Sequence, residues 1–330
     1  MEVTIKDVAK LAGVSVATVS RVLNNSAIVS PETAKSVSEA IKALNYRPNF
    51  LGRNLRKRET NVILALIPST EQTYYSEILH GMQVKAADYG YDIFMSVTNS
   101  YLQLEEKLLG MLYNRIVDAA ILLGTQLSSE RLNEIADTDY IALCCEGVEG
   151  ADVLNITIDN EKAAYDAVNY LISIGHRQIG MVSTEVRAPS SVARERGYMR
   201  ALHDAGIPFD DKYLYRGSYD FSSGGEALEK FMELDRKPTG IFAISDFLAA
   251  GVVKKASSLG IKTGRDFSVM GFDNISMAGM YTPSISTVEQ PCFKMGVKVV
   301  ELLIENMNGC SHKGDLILPH SLVLRETTGD

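Results

Sequence analysis

Near the N-terminus, Ser15, Val16, Ala17, Thr18, Ser20, Arg21 and Asn24 share what their spacing makes the outward side of one short helix. Their side chains are small or hydrogen-bonding and none is a bulky acid, so this surface can approach base edges and phosphates in a DNA groove. A second cluster follows at Arg47, Arg53, Arg56, Lys57 and Arg58, positive charge of the kind that neutralises phosphates. Far along the chain, Asp273 ends an apolar run with a carboxylate able to accept two hydrogen bonds from vicinal hydroxyls, although a turn cap would use the same residue type. Tyr74 offers an aromatic wall, or simply packing. His176, in a Gly-His-Arg turn, reads as a structural hydrogen bonder.

The elements that position the first cluster are legible from spacing. Ala9 is small enough for two helices to touch, and Gly13 allows the backbone to turn between them. Val8, Leu11, Val14, Val19 and Val22 supply an apolar stripe, and Ser15 is placed to cap the second helix. Ser30-Pro31-Glu32-Thr33 reads as the start of a third helix running to Leu44. After Pro48 comes a short basic stretch with Leu51 and Leu55 four residues apart, which predicts a marginal helix. From spacing alone, a helical hairpin in some other protein remains the alternative.

Through residue 60 there are ten Lys and Arg against five Asp and Glu, and beyond it 23 against 36, a basic head on an acidic body. Such a chain is repelled by phosphate on average, so DNA binding has to be focused in the head. Its 330 residues, 46% of them hydrophobic, suit a globular protein of more than one domain. The four cysteines, Cys144, Cys145, Cys292 and Cys310, show no metal-ligand spacing, and none is expected to hold a metal. The N-terminus lacks an apolar signal core and no run of 18 or so apolar residues occurs, so a cytoplasmic protein, neither exported nor membrane-spanning, is expected.

From residue 61 short apolar runs alternate with amphipathic stretches, the pattern of parallel strands joined by helices. Strands are predicted at 62–67, 91–97, 118–123, 140–145, 179–183, 239–244 and 267–272. Helices are predicted at 75–89, 103–113, 129–136, 161–174, 193–205, 223–234, 247–259 and 293–306. Doubly wound folds bind ligands beyond the carboxyl ends of their strands, which directs attention to the loops there.

Thr4 to Asn24 together with Tyr46-Arg47-Pro48-Asn49 resembles the DNA-binding headpiece and hinge of the lactose repressor (LacI/GalR) family. Gly175-His176-Arg177-Gln178-Ile179-Gly180, Arg194-Glu195-Arg196-Gly197-Tyr198, Ser245-Asp246, Gly271-Phe272-Asp273-Asn274 and Gln290-Pro291 look like landmarks of that family's effector-binding core. The resemblance covers nearly the whole chain. It implies an N-terminal all-α helix-turn-helix headpiece with a hinge helix, then an α/β two-lobed periplasmic-binding-protein-like core of parallel sheets. The expected division is a headpiece at 1–47, a hinge helix and linker at 48–60 and a core at 61–330. One lobe would comprise about 61–160 and 292–322, the other about 161–291 with 323–330, and crossovers would lie near 159–162, 288–292 and 320–323. The DNA-binding residues implied are Thr4, Ser15, Val16, Ala17, Thr18, Ser20, Arg21, Asn24, Asn49, Arg53 and Leu55, with Leu55 matching the leucine wedged into the minor groove. Gly52 stands where the family usually has alanine, a cost of roughly 0.5–1 kcal/mol to that helix. The effector contacts implied are Tyr74, Glu146, Ser190, Arg194, Tyr219, Ser245 and Asp273.

No nucleophile-elbow, Walker-type or clustered metal-ligand pattern is present, so neither an enzyme nor a cofactor is expected. The reading is a transcriptional regulator, a repressor, that binds a pseudo-palindromic double-stranded DNA operator as a homodimer. A sugar, nucleoside or purine effector bound between the lobes would control operator affinity, without membrane involvement. The alternative is a solute-binding protein without a regulatory role, which would leave the headpiece unexplained.

Overall fold

Local capping decides where the first helices begin and end. In the computed structural model, which describes residues 3–23, 29–46 and 59–329, the chain divides into two units, Met1–Glu59 and Thr60–Asp330. In the first unit, α1 (Ile5–Ala12) starts at Thr4, whose N–H and hydroxyl both donate to the Asp7 carboxylate, at 2.8 and 2.7 Å. These bonds hold the Asp7 pKa below its usual value. The helix stops at Gly13, where φ is 67°, a left-handed conformation that costs glycine little. Ser15 caps α2 (Val16–Leu23) by accepting from the Thr18 N–H at 3.1 Å, and Ser30 caps α3 (Pro31–Ala43) by accepting from the Thr33 N–H at 3.3 Å. Val8, Ala9, Val19, Val37 and Ala40 form the buried centre of this small unit. Leu11 departs from the expected stripe and is 55% exposed. Val8, Ala9 and Ala12 set the inward side of α1, and Leu11 stands roughly 100° around the helix from it.

The second unit is built on two six-stranded sheets. The first orders its strands β11-β5-β4-β3-β1-β2, with β1 Val62–Ile67, β2 Asp92–Val97, β3 Ala119–Leu122, β4 Tyr140–Cys144, β5 Leu154–Ile158 and β11 Gly314–Leu318. The second orders them β12-β10-β9-β8-β6-β7, with β6 Ile179–Thr184, β7 Leu214–Gly217, β8 Gly240–Ala243, β9 Ser268–Asp273, β10 Ser286–Glu289 and β12 Ser321–Val323. Pairing is parallel apart from β10 with β12, which run antiparallel. Around the first sheet lie α4 (Tyr74–Asp88), α5 (Leu102–Tyr113), α6 (Ser129–Ala136) and α12 (Cys292–Met307); with the second go α7 (Asn160–Ser173), α8 (Pro189–Asp204), α9 (Phe221–Met232), α10 (Asp246–Ser258) and the short α11 (Ser276–Met280). The buried runs of β1, β3 and β8 are apolar on both faces, as strands covered on both sides tend to be, and those of β6 and β9 are apolar except at their ends.

The chain passes between the sheets at Asp159, at Gln290–Pro291 and at Pro319–His320. A lobe boundary at 322 therefore falls inside β12, which already pairs with β10 in the second sheet. Thr60, assigned to the linker by sequence, is tied into the core because its N–H donates to the Asp118 carboxylate at 2.8 Å. Strands β5, β7, β10, β11 and β12 escape the search for apolar runs because polar residues interrupt them. Asn155 in β5 is buried by donating to Asp315 of β11 at 2.8 Å, and Thr287 in β10 by donating to Asp246 at 2.5 Å. Buried polar side chains are tolerated when so paired. Helix α8 begins at Pro189 rather than 193, because proline is preorganised for a first helical position. Arg194 thus lies in its second turn and not at a helix start.

Helices α4 and α12 cross at two glycines. A Cβ added at Gly81 would meet the Phe293 carbonyl oxygen at 2.1 Å, and one at Gly296 the Ile78 carbonyl oxygen at 2.0 Å. Both neighbours are backbone and cannot swing aside. Gly296→Ala is expected to destabilise the core by about 1–3 kcal/mol, the usual range for overpacking, read as a lower urea midpoint; an unchanged midpoint would show that the helices separate freely.

Candidate functional site

A cavity of about 800 Å³ opens where the carboxyl ends of both sets of strands face each other, lined from the first sheet by Pro68, Gly124 to Gln126 and Glu146 and from the second by Thr184, Tyr219 and Asp273. Six of the seven sequence candidates, Tyr74, Glu146, Ser190, Arg194, Tyr219 and Asp273, line it together. Ser245 does not. It lines an adjoining recess of about 310 Å³ that shares Tyr74, Tyr219 and Asp273, and its hydroxyl caps α10 by accepting from the Leu248 N–H at 3.2 Å. Ser245 thus caps a helix at the cavity's edge.

Asp273 is the most constrained residue here. The turn after β9 puts it at φ 107°, outside the comfortable range of an L side chain, and Asn274 follows at 55°. Its buried carboxylate accepts from Gln290 Nε2 at 2.7 Å, and the Tyr219 hydroxyl lies near it. Arg194 Nη1 is 3.8 Å away, too far for a hydrogen bond. The guanidinium is committed elsewhere: Nε donates to Asn160 Oδ1 at 2.9 Å, Nη1 donates to the Ile244 carbonyl at 2.6 Å, and the Phe272 ring centroid lies 3.6 Å from the central carbon. Burial therefore outweighs the Arg194 charge and the pull of Gln290 and Tyr219, and lifts the Asp273 pKa to about 6. A carboxylate so poorly compensated is suited to accept donors from a ligand.

Glu146 reaches from the loop after β4 to the start of α8, where it accepts from the Ser190 N–H at 3.0 Å and also from the Ser190 hydroxyl. Burial raises its pKa, against the pull of the Ser190 bonds. Those N–H groups at a helix start would otherwise lack partners, so a carboxylate fits them. Tyr74 and Tyr75 stack at 4.2 Å between ring centroids and wall one side. At the rim, Arg187 donates to Glu195 at 2.8 Å, and Glu195 is held also by Arg216 and Ser183. Burial works to raise the Glu195 pKa, yet these donors, Arg216 foremost, bring it down to about 2. Sequence reasoning missed Asn160, Gln290, Arg187 and Glu195 as parts of the site. Gln290-Pro291 and Glu195 lie within the quoted landmarks, but their types alone do not show that they aim at the site.

In the first unit, Ser15, Val16, Ala17 and Arg21 are exposed and Thr18 and Ser20 partly so, along α2 and its cap. The Thr4 hydroxyl is committed to Asp7. Asn24, Asn49, Arg53 and Leu55 lie outside the described residues. His176 Nδ1 is bonded to the Thr239 hydroxyl at 3.0 Å, joining two loops at the opposite end of β6 and β8 from the cavity, and burial lowers its pKa. Among the described residues, no helix is long and apolar enough to cross a membrane.

Residues 4–49 match the family described as bacterial regulatory proteins, lacI family, and residues 168–328 match a periplasmic binding protein-like domain. Catabolite control protein A of Priestia megaterium is 36% identical over 99% of this chain and 100% of its own length. The HTH-type transcriptional repressor CytR of Escherichia coli K12 is 33% identical over 98% of this chain and 96% of its own. The crystal structure of the Lac repressor dimer bound to operator and the anti-inducer ONPF superposes with a TM-score of 0.89 at 25% identity, covering 100% of both chains.

Asp273, with Arg194, Tyr219, Asp246 and Gln290 around it, gives the cavity a pH signature. Binding of a ligand that donates to the ionised carboxylate requires loss of its proton, so affinity should weaken as pH falls through about 6, by up to about tenfold per pH unit for one linked proton. Calorimetric titration of the native chain should show this slope, and Asp273→Asn should bind weakly and without it; a pH-independent native affinity would count against Asp273 as a contact.

Proposed function

The chain belongs to the lacI family of bacterial regulatory proteins, and from that membership we propose that its cavity binds a sugar or nucleoside-like effector whose hydroxyls donate to Asp273 and whose ring lies against Tyr74 and Tyr219. As a family member it is a DNA-binding transcriptional repressor with an effector-binding core, and not a bare solute carrier. The observation that carries the effector reading is the strained, under-compensated Asp273 carboxylate facing a cavity walled by tyrosines. Ser190 and Glu146 contribute a second polar edge, and the Arg194 charge stands 3.8 Å from Asp273.

On the DNA side, Ser15, Thr18, Ser20 and Arg21 supply hydrogen bonds to phosphates and base edges, and Val16 and Ala17 contact thymine methyl groups. Thr4, with Asn24, Asn49 and Arg53, would contact the backbone. Leu55 from each copy of a homodimer enters the minor groove at the centre of a pseudo-palindromic operator and unstacks a base step. The effector acts by binding more tightly to one arrangement of the two lobes, and linkage carries that preference to operator affinity. The protein works in the cytoplasm, where its DNA is, and performs no catalysis.

Three measurements on the full chain test this. Operator affinity should fall steeply with salt, with a log–log slope on the order of −5 or steeper for six or more neutralised phosphates; flat or absent operator binding would sink the DNA reading. Leu55→Ala should weaken operator binding on the order of tenfold or more and leave effector affinity unchanged, whereas loss of both would mean that Leu55 serves folding. A thermal-shift screen of sugars, nucleosides and purines should find a ligand that moves the native melting point and not that of Asp273→Asn; equal shifts in both would remove Asp273 from the site.

A further inference from the structure

At the far end of α12 from the cavity side, the chain makes a short excursion before β11 that places three different donor side chains together. Gly309, at φ 99°, turns the chain out of the helix, and the Cys310 N–H bonds back to the Glu305 carbonyl at 3.0 Å. Asn306 then clamps the backbone of His312 twice, donating from Nδ2 to its carbonyl at 2.9 Å and accepting from its N–H at 2.6 Å. The result is that His312 Nε2 lies 2.6 Å from Glu305 Oε2. The Cys310 sulfur is close by, and the three donor atoms all lie within 4.8 Å of one another.

We propose that Glu305, Cys310 and His312 form a binding site for a thiophilic divalent cation of the Zn²⁺ class, with water as the fourth ligand. The donor set argues for that class: thiolate and imidazole with one carboxylate suit zinc, whereas magnesium and calcium take oxygen ligands. The distances fit as well. Tetrahedral zinc with bonds of about 2.0–2.3 Å keeps its ligands roughly 3.3–3.8 Å apart, between the 2.6 Å of the present Glu305–His312 bond and the 4.8 Å limit. Small rotations of partly exposed side chains close the difference, while the backbone of His312 is already fixed by Asn306 and that of Cys310 by the Glu305 carbonyl. Cys310 is exposed and Cys144, Cys145 and Cys292 are buried, so among the described residues Cys310 is the thiol that meets ions from solvent. A recess of about 140 Å³ lined by Cys310, His312, Asn306, Asp139 and Asp152 leaves room for the coordinated water. Binding replaces the thiol proton, which leaves to solvent, and requires neutral His312 with its ring proton on Nδ1 so that Nε2 presents its lone pair; it staples the end of α12 to the approach of β11. The sequence search for paired cysteines overlooked the site because its ligands are of three types, spaced five and two residues apart.

The test uses the full reduced chain with ZnCl₂ in competition with a chromophoric chelator, and CoCl₂ as a spectroscopic probe. One Zn²⁺ per chain should bind, Co²⁺ should give a thiolate charge-transfer band with tetrahedral d–d bands, and the melting point should rise with Zn²⁺. Cys310→Ser and His312→Ala should each weaken Zn²⁺ binding by about tenfold or more, and Cys310→Ser should abolish the charge-transfer band, while the metal-free melting points stay at the native value. No charge-transfer band, or Zn²⁺ affinity in both variants equal to the native chain, would overturn the site. A variant with a lowered metal-free melting point is replaced by Glu305→Gln, whose unchanged Zn²⁺ affinity would likewise count against it.

Discussion

The contact between Arg194 and Asp273 is the one on which the cavity depends, because each partner also holds a place where the chain changes lobe. Arg194 is tied through Asn160 to the first crossing and Asp273 through Gln290 to the second. Arg194 additionally holds the end of β8 through the Ile244 carbonyl and lies over Phe272 of β9. Two buried charges are costly to desolvate, and their attraction repays that only with good geometry and further hydrogen bonds. Here the pair is left at 3.8 Å and Asp273 is lifted to about 6, so the site keeps part of that cost uncompensated.

That arrangement explains why the cavity sits where a signal can be generated. The crossings at Asp159, Gln290–Pro291 and Pro319–His320 are the covalent links between the two sheets, and the cavity-lining carboxylate of Asp273 is bonded to a side chain in one of them. An effector that donates to Asp273, as proposed, would act on the crossings through Gln290. The Glu146–Ser190 contact joins the lobes at the cavity's other side, so a ligand entering there competes with a bond between them. Population shift needs only such a difference in affinity between two arrangements.

The remainder of the core is stiff by construction. Gly81 with Gly296, and Gly224 with Gly251, let helices approach until carbonyl groups stand within about 2 Å of where a Cβ would be. Packing this close resists gradual deformation. Asp246 adds to the rigidity: wholly buried, it accepts from Thr287 and the Ile275 N–H and so fixes the turn after β9 that strains Asp273.

Much of this was legible without coordinates. Runs of apolar residues marked β1, β3, β4, β6, β8 and β9 and periodicity most helices, because strands buried on both faces are mostly apolar. Gly13, Ser15 and Ser30 marked the headpiece helices, since backbone turns and caps demand particular residue types. Landmarks quoted along the chain brought Arg194 and Asp273 into view, and the strand-end rule said where to look. What sequence could not decide was anything settled by hydrogen bonds between distant residues: that Asn155 and Thr287 lie in buried strands, that Ser245 spends its hydroxyl on a cap, that Asn160 and Gln290 belong to the site, and that Glu305, Cys310 and His312 converge. Local propensity acts over a few residues and is written in the chain; satisfaction of a buried polar group depends on which partner the fold brings within about 3 Å, and that is determined only when the chain has closed on itself.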